Sequence, residues 1–468
     1  METINTKLLI IGAGPGGYVC AIRAGQLGVD TVIVESERLG GTCLNVGCIP
    51  SKALIHAADE FHHVKSFCDA RDAESTMGIR ASAATIDLQK TIDWKNSIVS
   101  RLNTGVSGLL KRANVRVLQG NAKFRDGKTV VVESTNGSVQ VHCEYAVIAT
   151  GSEPVSIPTL PFDDHILSSK ELLSLSEVPE SLAIVGGGYI GLELGTCFAK
   201  FGTKVSIIES ETRLLPQYDD ELSRPVLKRL EKLGANILTQ TTALSYDKTK
   251  AELKILDSDG NEESVHASKV LVTVGRRPRL SGWGLEELSL TESNGYLEID
   301  DQCRTSMRGV FAIGDVTGEP MLAHRAMAQG DMVAKIVAGQ KQSWDKQCIP
   351  SVCFTDPEIV TAGLSPDQAG AVGAEYRVSK FPLGANGRAM TLQREDGFIR
   401  VVTQKNTNVI LGIQAVGVGV SELSAAFSIA IEMGARAEDI AATIHAHPTL
   451  SEGLQEACMT AIGHGLHF

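Results

Sequence analysis

Cys43 and Cys48 stand five apart in GGTCLNVGCIPSK, and two thiols at that spacing can do redox chemistry. Four residues separate them, one of them Gly47, enough for the chain to bend until the Cα atoms fall within the ~4.4 to 6.8 Å that a disulfide requires. Two plainer uses compete, inert buried thiols and half of a zinc site. Zinc needs two further ligands, and no second Cys or His pair with ligand spacing lies nearby, so no metal is expected. A helix expected to open around Ile49 to Lys52 would bring its positive end to a thiolate and lower the thiol pKa, as exchange chemistry needs. The other eight of the ten cysteines lie singly in apolar or helical contexts and read as inert core thiols.

Thiol exchange also needs a base, and HAHPTLSEGLQEA near the far end offers one. Histidine has the unperturbed pKa suited to that work at neutral pH. His447, held extended by Pro448, would be the base, and Glu452 would orient its ring and stabilise its cation. The alternative is equally concrete: Thr449-x-x-Glu452 is a capping box at a helix start, with His447 an ordinary surface residue.

These groups need a scaffold, and an internal repeat supplies it. Leu8 to Glu37 aligns without gaps on Leu182 to Glu211 at a constant offset of 174 residues. Each copy runs from a short apolar stretch through G-x-G-x-x-G into helix-compatible residues, then back through a β-branched run to a glutamate, which is a βαβ unit. The glycines are Gly12, Gly14 and Gly17 in the first copy, and Gly186, Gly188 and Gly191 in the second; Glu35 and Glu209 each follow the middle glycine by 21 residues. Glycines there allow a tight turn and let backbone N–H groups approach a pyrophosphate at the positive end of the helix. The glutamate then accepts hydrogen bonds from an adenosine ribose diol. One such motif could be a turn that binds nothing; two in full context read as two dinucleotide sites.

The first unit is completed late, by EYAVIATGSEP at 144 to 154, and the second by KVLVTVGRRP at 269 to 278. Their strand ends, Thr150-Gly151 and Val274-Gly275, mark domain joints. RGVFAIGD ends at Gly314-Asp315, where the Asp would bind the sugar-like chain of a flavin or simply make a Gly-Asp turn. A helix is expected from the segment Met321, Leu322, Ala323, His324 towards 339, its N-terminus facing electron-rich flavin edges. From about 349 no phosphate motif remains, and β-type runs (FIRVVT, VILGIQAVGV) with apolar helices (LSAAFSIAIEM) read as an α+β interface domain.

The bulk properties agree with this plan. A chain of 468 residues allows about three domains, and 43% hydrophobic with 21% charged residues excludes disorder as the whole account. A net charge of −11 disfavours nucleic acid and anionic membrane surfaces. The 46 glycines against 5% aromatics suit a chain that repeatedly brings backbone close to a ligand. The uncharged runs are interrupted by glycines and fall short of ~18 residues, so no membrane span is expected. Polar-leaning residues lead directly into LLIIG without room for a signal or transit peptide, which points to the cytoplasm unless a presequence has been removed.

GGTCLNVGCIPSK, the two G-x-G-x-x-G units, FAIGDV, MLAHRAMAQG and HAHPTLSE together resemble the flavoprotein disulfide reductases over essentially the whole chain, and most closely the branch that oxidises dihydrolipoyl groups. The resemblance implies an α/β chain with two Rossmann-like domains and a C-terminal α+β dimerisation domain. Residues 1–151 and 277–348 would form the FAD-binding and central part, 152–276 the NAD domain, and 349–468 the interface domain. FAD would be held by Gly12, Gly14, Gly17 and Glu35, by Lys52 and Ala122, by Thr150, Gly151 and Ser152, and by Asp315 with Met321, Leu322, Ala323 and His324. NAD would be held by Gly186, Gly188, Ile190 and Gly191, with Glu193, Glu209 and Gly275. Lys52 and Glu193 match the family's pair beside the flavin ring.

The family's redox disulfide matches Cys43 and Cys48, and its base and partner acid match His447 and Glu452. The resemblance further implies that electrons pass from substrate thiols to the disulfide, to FAD and on to NAD, and that His447 serves the disulfide of the other subunit of a homodimer. A lipoylated E2 or H-protein carrier domain, from a 2-oxo acid dehydrogenase or glycine-cleavage complex, would be the partner. NADP-using relatives place arginines where this chain has Glu209 and Pro216; despite Arg213 nearby, the Glu209 carboxylate would repel a 2′-phosphate, so NAD is expected. A rival reading is a sensor that binds both nucleotides and whose cysteines never turn over.

Overall fold

The computed structural model describes residues 2–69, 77–135 and 137–467. The apolar run Leu8 to Ile11 is buried on both faces, as a central strand of a parallel sheet must be. It belongs to strand Glu2–Ile11, which pairs in parallel with Thr31–Glu35 on one side and Gly137–Ile148 on the other. Arg116–Gln119 extends the sheet beyond Thr31–Glu35. Val310–Ala312 adds in parallel to the end of Gly137–Ile148, so a strand over 160 residues away in the chain belongs to the first unit. Two antiparallel strands, Asn121–Asp126 and Thr129–Ser134, complete it.

The second copy repeats the plan. Ser181–Val185 is central, flanked in parallel by Lys204–Ile208 and then Asn236–Leu238, and on the other side by Lys269–Val272 and then Ile166–Leu167. Helices Pro15–Gln26 and Tyr189–Phe201 are the crossovers following the two glycine turns. Where the chain leaves the first unit and returns to it, Ser152–Pro154 pairs antiparallel with Arg276–Pro278, and the two joints are stitched by one short ribbon. The chain after 349 forms a five-stranded antiparallel sheet. Helices Ser424–Glu432 and Glu452–Ala461 pack on it around Phe381, Ile399, Val401 and Phe427. Among the described residues, no helix is long and apolar enough to cross a membrane.

A buried ion cluster clamps the C-terminal sheet to the second unit. Asp356 meets Lys200 at 2.6 Å and Arg229 at 3.0 Å, and Arg394 also pairs with it, while Lys200 reaches Asp59 of the first unit. Burial by itself would raise the Asp356 pKa; Lys200, Arg394 and Arg229 together reverse this and hold it well below the usual carboxylate range. Removing one partner of such a cluster leaves buried charge uncompensated. Asp356→Asn is therefore expected to cost about 3 kcal/mol or more, read as a lowered thermal unfolding temperature. A depressed carboxyl contributes only while ionised, so its contribution is full above the ordinary carboxylate pKa and fades as pH falls through the folded-state value. The gap between variant and wild type must narrow in acid; an unfolding temperature unchanged at neutral pH would contradict the clamp.

Candidate active site

The sequence between the two cysteines folds as a break between helices. Cys43 lies on the short helix Gly41–Val46, and Cys48 is the first residue of helix Cys48–Asp69, one residue earlier than the expected opening. Gly47 is the hinge: a Cβ there would stand 2.9 Å from the Thr42 carbonyl oxygen, so the two helices could not close this tightly around another residue. The two thiols are unbonded, and Cys43 donates a hydrogen bond to Cys48. That bond is the largest influence on Cys48 and outweighs burial; with the Lys52 ammonium it lowers the pKa to about 7, while the Cys43 pKa is raised. The position at a helix N-terminus acts in the same direction.

Lys52 lies one helical turn beyond Cys48, on the same face. Its Nζ pairs with Glu193 Oε2 at 2.7 Å and stands 4.5 Å from the centre of the Phe354 ring. Glu193 is buried, and its other oxygen accepts from the Phe354 backbone N–H at 2.9 Å. Burial disfavours the lysine cation, but the adjacent Glu193 more than offsets it, so the Lys52 pKa is raised. A fixed positive charge thus sits beside the sulfur that carries the negative one.

Both groups face a cavity of about 950 Å³ that extends from the first glycine turn past Cys43 and Cys48 to Lys52, Glu193 and Tyr189. That is the upper end of the range for small-molecule sites, ~1,000 Å³. At its far end Gly14 caps helix Pro15–Gln26 without any side-chain hydrogen bond, and a Cβ on Gly14 would point into open space. Glu35 accepts from Ala13 N and Glu37 N, both at 2.8 Å. The second turn repeats these backbone bonds: Gly188 is an uncapped N-cap with open space before it, and Glu209 accepts from Gly187 N at 2.7 Å and Glu211 N at 2.8 Å. Glu35 spends one acceptor site per oxygen on the turn, Glu209 spends one more on the Ser210 hydroxyl at 3.2 Å, and each keeps a site for a ligand.

Two family models cover this arrangement. Residues 6–330 match pyridine nucleotide-disulphide oxidoreductase, and residues 349–458 match the dimerisation domain of the same enzymes. The chain belongs to the pyridine nucleotide-disulphide oxidoreductase family. It is 52% identical to a dihydrolipoyl dehydrogenase of Pseudomonas aeruginosa, covering 100% of this chain and 99% of that one, and 44% identical to a dihydrolipoyl dehydrogenase of Geobacillus stearothermophilus, over 99% and 98%. Among solved structures, an HOCl-induced flavoprotein disulfide reductase from Escherichia coli superposes with a TM-score of 0.85 at 25% identity, covering 97% of this chain and 99% of that one.

Within this oxidoreductase, the cavity wall includes Gly12, Ala122, Thr150, Gly151, Ser152 and Asp315, together with Met321 and Ala323. Leu322 and His324 are not in the wall; His324 Nε2 bonds the Pro350 carbonyl at 2.7 Å. Gly17 and Gly191 lie under their turns, where a Cβ would meet the oxygens of Gly12 and Gly186 at 1.9 and 2.4 Å, so they set helix-to-strand packing. Gly186, Gly188, Glu209 and Gly275 lie outside the large cavity at the second turn. Helix Tyr189–Phe201 starts at that turn and carries Ile190 and Glu193 into the cavity wall, so one helix serves both.

His447 and Glu452 are brought to each other but not to the cysteines. His447 Nδ1 bonds Glu452 Oε1 at 2.9 Å, and Thr449 N donates to Glu452 Oε2 at 2.8 Å. The capping box is not formed: helix Glu452–Ala461 opens at Glu452 with Ser451 before it and no side-chain cap, and the Thr449 hydroxyl bonds the Ala446 carbonyl instead. Glu452 orients the ring with one oxygen and holds the Thr449 backbone with the other. The peptide bond between His447 and Pro448 is cis. The His447 side chain is 80% exposed, and neither residue lines the cavity of its own chain.

Sequence reasoning missed Tyr189 and Arg276. Tyr189 lines the cavity beside Glu193 and is signalled only by an aromatic placed inside a phosphate turn. Arg276 donates to Ser152 Oγ at 2.9 Å and to its carbonyl at 2.8 Å, and Ser152 Oγ donates to Asp315 Oδ2 at 2.5 Å. This chain aligns Asp315, and its only signal is the Arg following Gly275 at the joint. For the thiolate, Lys52→Met is expected to raise the Cys48 pKa by about 1 unit or more, followed by ultraviolet thiolate absorbance of the reduced protein against pH. A titration unmoved by the substitution would remove Lys52 as the stabilising charge.

Proposed function

We propose that the chain is a dihydrolipoyl dehydrogenase that oxidises carrier-bound dihydrolipoyl groups, with FAD and NAD as its cofactors and NAD⁺ as the acceptor. The observation that carries the reading is the pair Cys43 and Cys48 in the wall of a nucleotide-sized cavity, with Lys52, one helical turn after Cys48, lowering the pKa of that thiol. The residues fit the cofactors. The uncapped N–H groups at Gly14 suit a diphosphate, Glu35 a ribose diol and Asp315 a polyol chain, with Lys52 and Glu193 at the ring end. The turn at Gly188 with Glu209 suits the second nucleotide, whose 2′-hydroxyl the carboxylate accepts and whose 2′-phosphate it would repel. Bound there, FAD supplies a two-electron carrier between the thiols and the nicotinamide.

The protein's own residues perform the sulfur chemistry. His447, whose Nδ1 is held by Glu452, takes the proton of a dihydrolipoyl thiol at Nε2. The resulting thiolate attacks Cys43 of the oxidised pair, the Cys43–Cys48 bond breaks, and Cys48 departs as a thiolate beside Lys52. The second dihydrolipoyl thiol then displaces Cys43, closing the substrate disulfide and leaving both cysteines reduced. Two electrons have moved from substrate to protein.

Because His447 is exposed and absent from its own chain's cavity, the reading assigns it to the disulfide of the partner subunit in a homodimer. Support comes from the dimerisation-domain match and from apolar side chains left open in that region, with Ile444 95% and Met433 78% exposed. A lipoylated E2 or H-protein domain in the cytoplasm is the proposed carrier. Steady-state assay with dihydrolipoamide and NAD⁺ tests the reading: the wild-type protein turns over, and His447→Gln loses ~10²-fold or more in kcat. A wild-type protein inert towards dihydrolipoamide would refute the activity, and a nearly unaffected variant would return that segment to helix support alone.

A further inference from the structure

The helix that carries the half-buried Glu452 carries a second carboxylate, this one buried, one turn on. Glu452 and Glu456 are four residues apart on helix Glu452–Ala461, so their side chains are neighbours on one face. Glu456 is only 7% exposed. Its Oε2 accepts from the backbone N–H groups of Leu466 and His467 at 3.3 and 3.4 Å, and its Oε1 meets His467 Nδ1 at 2.6 Å. The chain after the helix thus folds back onto it, started by His464 N donating to the Met459 carbonyl at 2.8 Å. The result is two His–Glu pairs in adjacent turns of one helix, His447 with Glu452 and His467 with Glu456.

Resting on the function proposed above, we propose that His467 is a positioning residue for the acid–base pair: clamped by Glu456, it stands as a second imidazole one turn away and offsets the negative field against which His447 gains and loses its proton. Without it, Glu452, the partner of His447, would have a second carboxylate of like sign one turn on along its own helix with no cation to offset it. The charged groups around His467 are Glu456 and Glu452 on the helix it folds against. Arg377, on strand Tyr376–Pro382, is engaged with the Ala461 carbonyl at the other end of that helix, and Glu438, on helix Ala437–Ala442, bonds Asn408. The hydrogen bond to Glu456 raises the His467 pKa, with the Glu452 carboxylate adding to it, so the cation persists to higher pH than in a free histidine. Glu452 in turn is lowered, against the effect of burial, by the Thr449 N–H, by His447 and by His467.

Removal of a nearby cation makes a histidine more basic. In His467→Gln the acid limb of kcat/KM for dihydrolipoamide is expected to move up by roughly 0.5 pH, a size set by one charge acting through a largely aqueous path. His467→Lys, which restores a cation beside Glu456, should return it. The same displacement should appear in the His447 ring titration of the ¹³C-histidine-labelled holoenzyme, with that resonance assigned by its loss in His447→Gln. The His467 side chain is 71% exposed, so the substitutions remove little packing, and both Gln and Lys can still donate a hydrogen bond to the buried Glu456. A ring titration at the wild-type position in His467→Gln, or a displacement equally large in His467→Lys, overturns the proposal. Absence of dihydrolipoamide turnover by the wild type would defeat the functional reading while the ring titration still judged this one.

Discussion

A thiolate must be stable at Cys48 before any of the surrounding architecture has a use. Three features converge on that sulfur: a hydrogen bond from Cys43, the first turn of helix Cys48–Asp69, and the Lys52 ammonium one turn on. Each comes from a different feature of the sequence. The Cys43 bond depends on Gly47 letting two helices meet, the helix end depends on where Cys48 falls, and Lys52 depends on Glu193, which arrives from the second βαβ unit 141 residues later. The redox pair therefore belongs to both units, and the buried Asp356 cluster, with Lys200 seven residues beyond Glu193 on the same helix, fixes the packing that keeps Glu193 in place.

Much of this was legible in the residues because the repeat is strict. An offset of 174 carries over from glycines to strand order and then to single hydrogen bonds, since Glu35 to Ala13 and Glu37 reappears as Glu209 to Gly187 and Glu211. Period and glycine spacing are local properties, and local properties survive in a single sequence. The same holds for Cys43 and Cys48 and for the strand before Gly314-Asp315, although it ends at Ala312 and Gly314–Thr317 forms a short 3-10 turn.

What did not show depends on contacts between distant segments. Nothing near Asp356 announces that Lys200, Arg229 and Arg394 will converge on it, because the four come from separate elements. Arg276 reads as one more basic residue until the ribbon Ser152–Pro154 with Arg276–Pro278 brings it to Ser152. The choice between base and capping box at His447 could not be made from spacing because it depends on where the helix starts. It opens at Glu452 itself, three residues after Thr449, so the box does not form and the carboxylate is left for the ring and the Thr449 N–H. Leu322 and His324 share a motif with Met321 and Ala323, yet a helix beginning at Ala323 turns successive side chains in different directions, and only some meet the cavity.

The central claim is that Cys43 and Cys48 exchange between a disulfide and two thiols. Counting thiols in the anaerobically unfolded protein, before and after treatment of the native holoenzyme with dihydrolipoamide, tests it most directly. The account predicts eight of the ten cysteines reactive before treatment and all ten after, with peptide mapping locating the change at Cys43 and Cys48. Ten reactive thiols in the untreated enzyme under conditions that keep it oxidised, or a linkage that maps to any other pair, would contradict it.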